Sequence, residues 1–429
     1  MLRLSNGRVS SMKTLVLLLA CVFTLHVARG DDVFDPDPNH PWNRLDAAIR
    51  TEEPVPKSVE DNLSEEFPKW LFTGAKYEQA LAELERFLKR KDDRLIRDPL
   101  KRALLQREVW TVFDTVANAR GPFRMEGQYR DQRDAITRRA AQIIRLLALT
   151  EAEIAALPDN YAATVAAGTF PPAHDPQKLA QPFLPPDLLP LGKAWLGMSG
   201  SEDPIALRHA EAVHGRSVFH VQMRLPGGRA ETMAYMRKLA DFPKPYAWND
   251  SYEQYPYARS TVRIGPDLPQ FPAGTQVALV RRMMLADADG DLRSTPIVES
   301  VQIRVYVNEP LPDPEMNQMA ATEFRLSPKE LLRNGSGLLP TGFKAPATRT
   351  VFELPTMFDR GVGCSNCHGR PGIYSVQAYA QGFGRNRGSP WFEVARSDEV
   401  LNLVAVYWKK RQYDWGLLQG LWSARGTSR

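Results

Sequence analysis

The sequence predicts an α+β protein, because helical and strand periodicities occupy different parts of the chain. Apolar residues recur at helical spacing in three stretches before residue 150. Between residues 217 and 307 they alternate with polar residues, as in strands that have one buried face. We therefore expect an N-terminal helical region, a central β-rich domain with a hairpin, and a mainly helical C-terminal segment.

Proline usage indicates long connections between these units. The chain has 34 prolines among 429 residues, more than the usual ~5%. The predicted units are a signal peptide (1–30), a proline-rich lead-in (31–60), a helical region (61–157), a proline-rich connection (158–204), an α+β domain (205–345) and a C-terminal segment (346–429).

The N-terminus is typical of an export signal. Three basic residues precede the apolar run 15–23, which is too short to span a bilayer, and small residues follow at Ala28 and Gly30. We expect the mature chain to begin near Asp31, in the periplasm or the medium. An alternative is lipid attachment at Cys21, whose preceding residues loosely resemble a lipobox.

The net charge excludes a nucleic-acid footprint for the mature chain. The sequence carries 55 basic and 50 acidic residues. Removing residues 1–30 takes away four basic residues and no acid, which leaves a balance near neutrality. No later segment has the length and apolarity of a transmembrane helix.

The helical region is predicted from three apolar stripes, in Tyr77–Arg90, Leu104–Val116 and Ile136–Leu147. Thr150 and Glu153 have the spacing of a capping box that opens a further short helix. We interpret these stripes as the core of a helical bundle.

The β-rich domain is predicted from Ser217–Leu225 and from the pair Gln276–Ala286 and Ile297–Val307. The acidic turn 287–291 places its glycine at the fourth position, whereas a calcium loop requires it at the sixth, so we expect a hairpin. Further predictions are a strand at Phe324–Leu326, a short helix from Ser327-Pro328, and helices over Glu231–Ala240 and over Asp398–Lys410, the last with Ser397 as its cap.

The residues that carry chemistry lie in Gly363–Gly369, which contains Cys-x-x-Cys-His. Cys364 and Cys367 are the only cysteines of the mature chain, and their spacing suits two thioether bonds to one haem. His368 then falls beneath the iron as the proximal axial ligand.

With these residues the segment of about 350–420 resembles a c-type cytochrome within a larger exported bacterial protein. The resemblance implies one haem c bound covalently by Cys364 and Cys367 and ligated by His368. It also implies a redox or electron-transfer role with a redox partner protein, rather than a defined enzymatic activity.

The chain departs from small cytochromes c in one respect. Residues 369–429 contain neither methionine nor histidine, so the sixth iron ligand is unassigned, and an open position would permit small-ligand binding or peroxidase-like chemistry. The upstream candidates are Met316, Met319, Met357, His209, His214 and His220. The spacing of the three histidines puts no two on one helical face, which is unlike a metal site of their own.

Two alternatives remain for the cysteines. Cys364 and Cys367 could serve a thiol–disulfide oxidoreductase, although no βαβ pattern surrounds them. They could also form a local disulfide in an exported binding or structural protein. A structural zinc is disfavoured because the local donors number fewer than four.

Overall fold

The computed structural model describes residues 35–49, 77–118, 129–200, 203–242, 246–248, 262–264, 267–307, 319–341, 372–376, 393–395 and 397–423. An antiparallel sheet of seven strands occupies the middle of the chain, with helices before and after it. The predicted α+β class is confirmed.

The helices are α1 (Pro41–Ile49), α2 (Tyr77–Arg90), α3 (Pro99–Ala117), α4 (Arg130–Leu147), α5 (Glu151–Ala155), α6 (Asn160–Ala166), α7 (Leu207–Ala212), α8 (Gly228–Ala240), α9 (Pro328–Asn334), α10 (Asp398–Lys410) and α11 (Tyr413–Ser423). Short 3₁₀ helices cover Asp92–Leu95 and Gly372–Ser375.

The strands are β1 (Leu196–Ser199), β2 (Ser217–Arg224), β3 (Tyr246–Trp248), β4 (Val262–Ile264), β5 (Thr275–Ala286), β6 (Leu292–Tyr306), β7 (Met319–Leu326), β8 (Leu338–Thr341) and β9 (Glu393–Val394). The large sheet has the order β8-β7-β6-β5-β2-β1-β9, and β3 pairs with β4 separately.

The hairpin β5–β6 is the longest pairing of the sheet and confirms the predicted hairpin. Asp287, the first acid of the turn, forms hydrogen bonds within the turn. Its Oδ1 accepts from the backbone N–H groups of Asp289 and Asp291. Arg293 Nε donates to the other oxygen of Asp287 at 2.8 Å. Gly290 has a φ of +89°, a conformation that glycine adopts without strain.

The first core lies between the helices and the hairpin. The stripes of α2, α3 and α4 bury residues such as Phe87, Leu104 and Ile144. Leu285 of β5 and Leu418 of α11 belong to the same apolar cluster. The helical region therefore packs on the tip of the hairpin and on the C-terminal helix.

A second core lies on one face of the sheet. Val301, Ile303 and Val305 alternate along β6 as predicted, and they contact Phe183 and Leu188 of the proline-rich connection. Parts of the connection thus pack on this face, as expected, but between α6 and β1 the chain is mainly turns and bends and not extended.

Several predicted elements are confirmed with small changes of length. These are α2, α3, α4, β2, α8, α9, α10 and a β7 that begins earlier, at Met319. The capping box is complete, with Thr150 accepting from Glu153 N and Glu153 accepting from Thr150 N.

Other elements differ from the prediction. The lead-in contains helix α1, because Trp42 is fully buried and its indole donates to Glu108 at 2.7 Å. The proline-rich connection holds α6 and β1, and α7 and α11 were not predicted. Ser397 occupies the predicted N-cap position of α10, but its side chain makes no capping hydrogen bond. Tertiary contacts outweigh local propensity at these places.

Within the described residues, no helix combines the length and apolarity needed to cross a membrane.

Candidate functional site

The haem-attachment residues Cys364, Cys367 and His368 lie outside the described residues, as do Met316 and Met357. The chain on both sides of the motif is described, however. The nearest described positions are Thr341 before it and Gly372 after it. Both belong to or contact the large sheet, and they show which part of the sheet the motif-bearing segment leaves and rejoins.

Thr341 ends the edge strand β8. It pairs with Glu323 of β7, and its Oγ1 donates to the Glu323 carbonyl oxygen at 3.4 Å. Glu323 in turn lies opposite Gln302 of β6. The described chain before the motif therefore ends on an edge strand of the sheet, three strands from the central strand β5.

Gly372–Ser375 packs against the C-terminal end of β6, which is the end away from the hairpin turn. The Ser375 side chain hydrogen-bonds the hydroxyl of Tyr306, and Arg304 Nη1 donates to the Ser375 carbonyl oxygen at 3.3 Å. Ile373 is buried against an apolar cluster that includes Phe271. Three residues lie between His368 and Gly372, so their Cα atoms are at most ~15 Å apart.

The register of the strands shows which side chains share the face of the sheet that Gly372–Ser375 contacts. Phe219 pairs with Arg281, Arg281 with Ser300, and Gln302 with Glu323. Successive residues of a strand point to opposite faces, so every second residue joins the same group. We call this the arginine face and define it by Arg281, Gln302, Arg304, Glu323 and Arg325.

Hydrogen bonds connect the side chains of the arginine face. Glu323 Oε1 accepts from Gln302 Nε2 and from Arg325 Nε, each at 3.1 Å. Arg281 Nε lies 2.9 Å from Glu299 Oε2. The face is thus a hydrogen-bonded polar network with more arginine than carboxylate, in which Arg281, Arg304 and Glu323 are buried.

Glu299 is the buried counter-ion at one end of this face. Arg107 of α3 donates to it at 3.0 Å, and Ser217 Oγ donates at 2.5 Å. Burial alone would raise the pKa of the Glu299 carboxyl, but Arg107, Arg281 and the Ser217 hydroxyl bring it below its usual value. Glu299 therefore stays ionised and fixes Arg281 in place.

His209 lies on the arginine-face side of the sheet. It is on α7, and its ring centroid is 5.7 Å from that of Phe219. Burial, with the positive charges of Arg304 and Arg281, lowers the pKa of His209 to about 4. The imidazole is consequently neutral at neutral pH.

His214 occupies a different environment. Its Nδ1 is 3.2 Å from Asn118 Nδ2 and 3.9 Å from Asp414 Oδ2. Burial and nearby Arg216 and Lys409 lower the pKa of His214 to about 3, although Asp414 opposes them. It belongs to a buried ionic cluster between α3 and the C-terminal helices.

His220 points to the opposite face of the sheet, because it is one residue removed from Phe219 on β2. It is fully buried under α10, with Nδ1 3.8 Å from Asp398 Oδ1. Burial and Arg282 lower the pKa of His220 to about 3, although Asn402 approaches the ring. Neither ring nitrogen completes a hydrogen bond of normal geometry with the described residues.

The three predicted histidine candidates therefore separate into three places, and only His209 lies on the side of the sheet that Gly372–Ser375 contacts. Met319 begins β7 opposite Tyr306. Among the described residues, no group of three or more histidine, cysteine, aspartate or glutamate side chains could hold a metal ion by itself.

The arginine face has some of the kinds of group that a haem would need, because guanidinium groups suit anionic propionates. In the described structure these groups are already packed. Arg281 pairs with Glu299, Arg325 with Glu323 and Arg304 with the Ser375 carbonyl oxygen. The neighbouring apolar side chains are buried: Phe219, Val221, Met223, Phe271 and Tyr306.

A surface groove elsewhere carries no comparable chemistry. It has a volume of 590 Å³ and lies between α2 and α4, with charged residues such as Glu85, Lys89 and Arg139 along its walls. Arg139 is already paired with Glu85 at 2.8 Å. Such exposed pairs are ordinary for a solvated helix surface.

Comparison with known proteins gives no relative: no protein-family model, curated protein or solved structure matches the chain.

Proposed function

We propose that this chain is an exported protein that binds one haem c covalently and transfers electrons to or from a redox partner protein. In this proposal Cys364 and Cys367 form the thioether bonds, and His368 is the proximal iron ligand. The pentad Cys364–His368 carries the proposal, because it combines attachment and ligation in five residues. The export signal supports it, since haem attachment in bacteria takes place outside the cytoplasm.

The described chain nearest to the motif in sequence gives further support. The described chain four residues after His368 packs beside an apolar cluster and a row of arginines. An apolar shell excludes water from an iron site and sets its potential. When bound, haem would supply a one-electron iron couple. The protein's own residues would hold the porphyrin edge, keep water away and balance the propionate charge.

The test is expression of the full chain in a bacterial host that has periplasmic haem-attachment machinery. We expect red protein whose N-terminus lies near Asp31 and whose mass exceeds that of the processed chain by one haem. The haem should remain attached after denaturation and should be reduced and reoxidised reversibly in a potential titration.

The control variants lie within the motif. Cys364→Ser combined with Cys367→Ser should abolish covalent haem, whereas Ser365→Ala combined with Asn366→Ala should retain it. Colourless wild-type protein with an intact Cys364–Cys367 disulfide would contradict the proposal and favour a thiol–disulfide or structural role.

A further inference from the structure

Helix α10 is held to the rest of the chain differently at its two ends. Near its C-terminus, the ammonium group of Lys409 is fully buried and donates to Asp114 at 2.9 Å and to Asp414 at 2.8 Å. The neighbouring Trp408 ring packs on Gly215, where an added Cβ atom would come within 2.7 Å of the ring. This end of the helix is therefore firmly anchored.

The N-terminal half of α10, residues 398–405, is held more weakly. Ser397 makes no capping hydrogen bond, although a serine at this position usually accepts one. The apolar cluster beneath this half is small, and it joins Leu401 and Ala405 of the helix to Val218 of β2. Apolar burial therefore contributes little to holding this half on the sheet.

Buried polar atoms without partners lie on the face of the sheet that this half covers. Within the described structure, neither ring nitrogen of His220 and neither polar atom of the Gln222 side chain has a hydrogen-bond partner. Arg282 Nε on β5 and Asn402 Oδ1 on the helix also lack one. His220 and Gln222 are fully buried. Burying such groups without partners costs free energy, which water would return if the surface were exposed.

We propose that residues 398–405 form a hinged flap, which opens from the sheet while residues 406–410 stay anchored, and that a fall in pH favours the open form by protonating His220. Opening hydrates the polar atoms of His220, Gln222 and Arg282 and breaks only the small apolar cluster. Native proteins open locally in this way at free energies below that of global unfolding. The flap consists of described residues and does not depend on haem.

The groups that face His220 determine the direction of the pH effect. Asp398 Oδ1 is 3.8 Å from His220 Nδ1, and its other oxygen is 3.6 Å from Arg282 Nη1. Asp398 also accepts from the backbone N–H of Leu191, at 3.3 Å. The residue opposite His220 on β5 is Val280, and β1 contributes no titratable side chain. The single carboxylate near the ring is therefore shared with Arg282 and a backbone donor.

A proton on His220 therefore favours the open flap. Burial and Arg282 lower the pKa of His220 to about 3 in the closed form, from its ordinary value of 6.5. The open form binds a proton below pH 6.5, whereas the closed form does not. Between pH 7 and pH 5.5 the equilibrium constant for opening should rise about eightfold.

The experiment is hydrogen–deuterium exchange of the full chain at pH 7 and pH 5.5, read by mass spectrometry of overlapping peptides. Each rate is divided by the intrinsic chemical rate at that pH. Amides of residues 402–405 should exchange faster than those of residues 407–410, and the ratio should grow about eightfold at pH 5.5. Residues 398–401 are left out of the comparison because the first amides of a helix lack intrahelical partners.

Three variants test the cause. His220→Leu replaces the ring with an apolar side chain, so it should slow exchange of residues 402–405 and remove the pH effect. Asn402→Leu should also slow exchange but keep the pH effect. Leu403→Ala, at a position that is 62% exposed on the same helix, is the matched control and should change neither quantity by more than about twofold. Circular dichroism verifies that each variant is folded.

The outcomes decide for or against the flap. Equal protection of residues 402–405 and 407–410, or a ratio that does not change with pH in the wild type, would overturn the proposal even if His220→Leu failed to fold. A pH effect that persists in folded His220→Leu would show that another group drives the opening and would also overturn it.

Discussion

At the scale of single residues, three histidines within a short stretch differ because of the groups that pack on them. The positive charges of Arg281 and Arg304 act on His209, and His214 lies beside Asp414. His220 is buried between β2 and α10. One residue of offset along β2 is enough to send Phe219 and His220 to opposite faces of the sheet. Histidine spacing alone therefore says little about the environment of each ring.

His220 gives a prediction for the pH dependence of stability. Its pKa in the folded chain is about 3, below the ordinary value of 6.5, so the unfolded chain binds a proton that the folded chain does not. The free energy of unfolding should therefore fall as the pH drops below about 6.5. The contribution of this ring between pH 7 and pH 5.5 is about 1 kcal/mol.

The measurement is denaturant unfolding of the wild type and of His220→Gln at pH 7 and at pH 5.5. The variant should lose about 1 kcal/mol less than the wild type over this interval, since glutamine does not titrate. His209, His214, Asp398 and Arg282 are common to both proteins and cancel in the comparison. Equal losses in both would show that His220 is not neutral and buried in solution.

At the scale of elements, helix α3 is fixed to its neighbours by two buried charges on one side. Arg107 pairs with Glu299 of β6, and Asp114, about two turns later, accepts from Arg216 and from Lys409 of α10, each at 2.9 Å. The Trp110 indole also donates to Asp114, at 3.1 Å. The apolar stripe in the sequence predicted α3. The residues that pair with Arg107 and Asp114 could not be predicted in this way, because they lie about a hundred or more residues later in the chain.

Removing the Asp114 charge should destabilise the whole chain. Asp114→Asn would remove the charge of a carboxylate that accepts from both Arg216 and Lys409, in a site where all three side chains are fully buried. We expect a loss of about 3–5 kcal/mol, measured by denaturant unfolding. The control is Asp291→Asn, which breaks the exposed pair with Lys410 and should cost less than about 1 kcal/mol. Similar small losses in both variants would contradict the role assigned to Asp114.

Local patterns explain which elements could be predicted. The three helical stripes, the capping box at Thr150 and the hairpin β5–β6 depend on residues close in sequence, and all were found. Helix α11 depends on burial of Trp415, Leu418 and Trp422 against distant helices, and it was not found.

At the scale of the whole molecule, the candidate site likewise has one part that the sequence predicts and one part that it does not. The pentad at Cys364–His368 is readable because its chemistry is contiguous. The arginine face is not, because it requires the register between Phe219 and Arg281 and the return of the chain at Ser375 beside Arg304. Periodicity predicts strands but not which distant strands become neighbours.

The described core also bears on how the whole molecule unfolds. Residues of α2, α3 and α4 share one apolar cluster with Leu285 of the hairpin and with Leu418 of α11. Trp110 of α3 and Trp415 of α11 are in direct contact, with ring centroids 5.9 Å apart. Neither the helical region nor the C-terminal helices can lose this packing without exposing the other.

We therefore expect thermal unfolding of the chain to be a single transition, with the same midpoint by circular dichroism and by tryptophan fluorescence. Leu418→Ala should lower that midpoint equally for both probes, at a cost of about 2–5 kcal/mol, because Leu418 is fully buried. Leu403→Ala makes the same substitution on α10, where the side chain is 62% exposed, and should change stability by about 0.5 kcal/mol or less. Two separate transitions, or a Leu418→Ala effect confined to one probe, would mean that the helices and the sheet unfold independently.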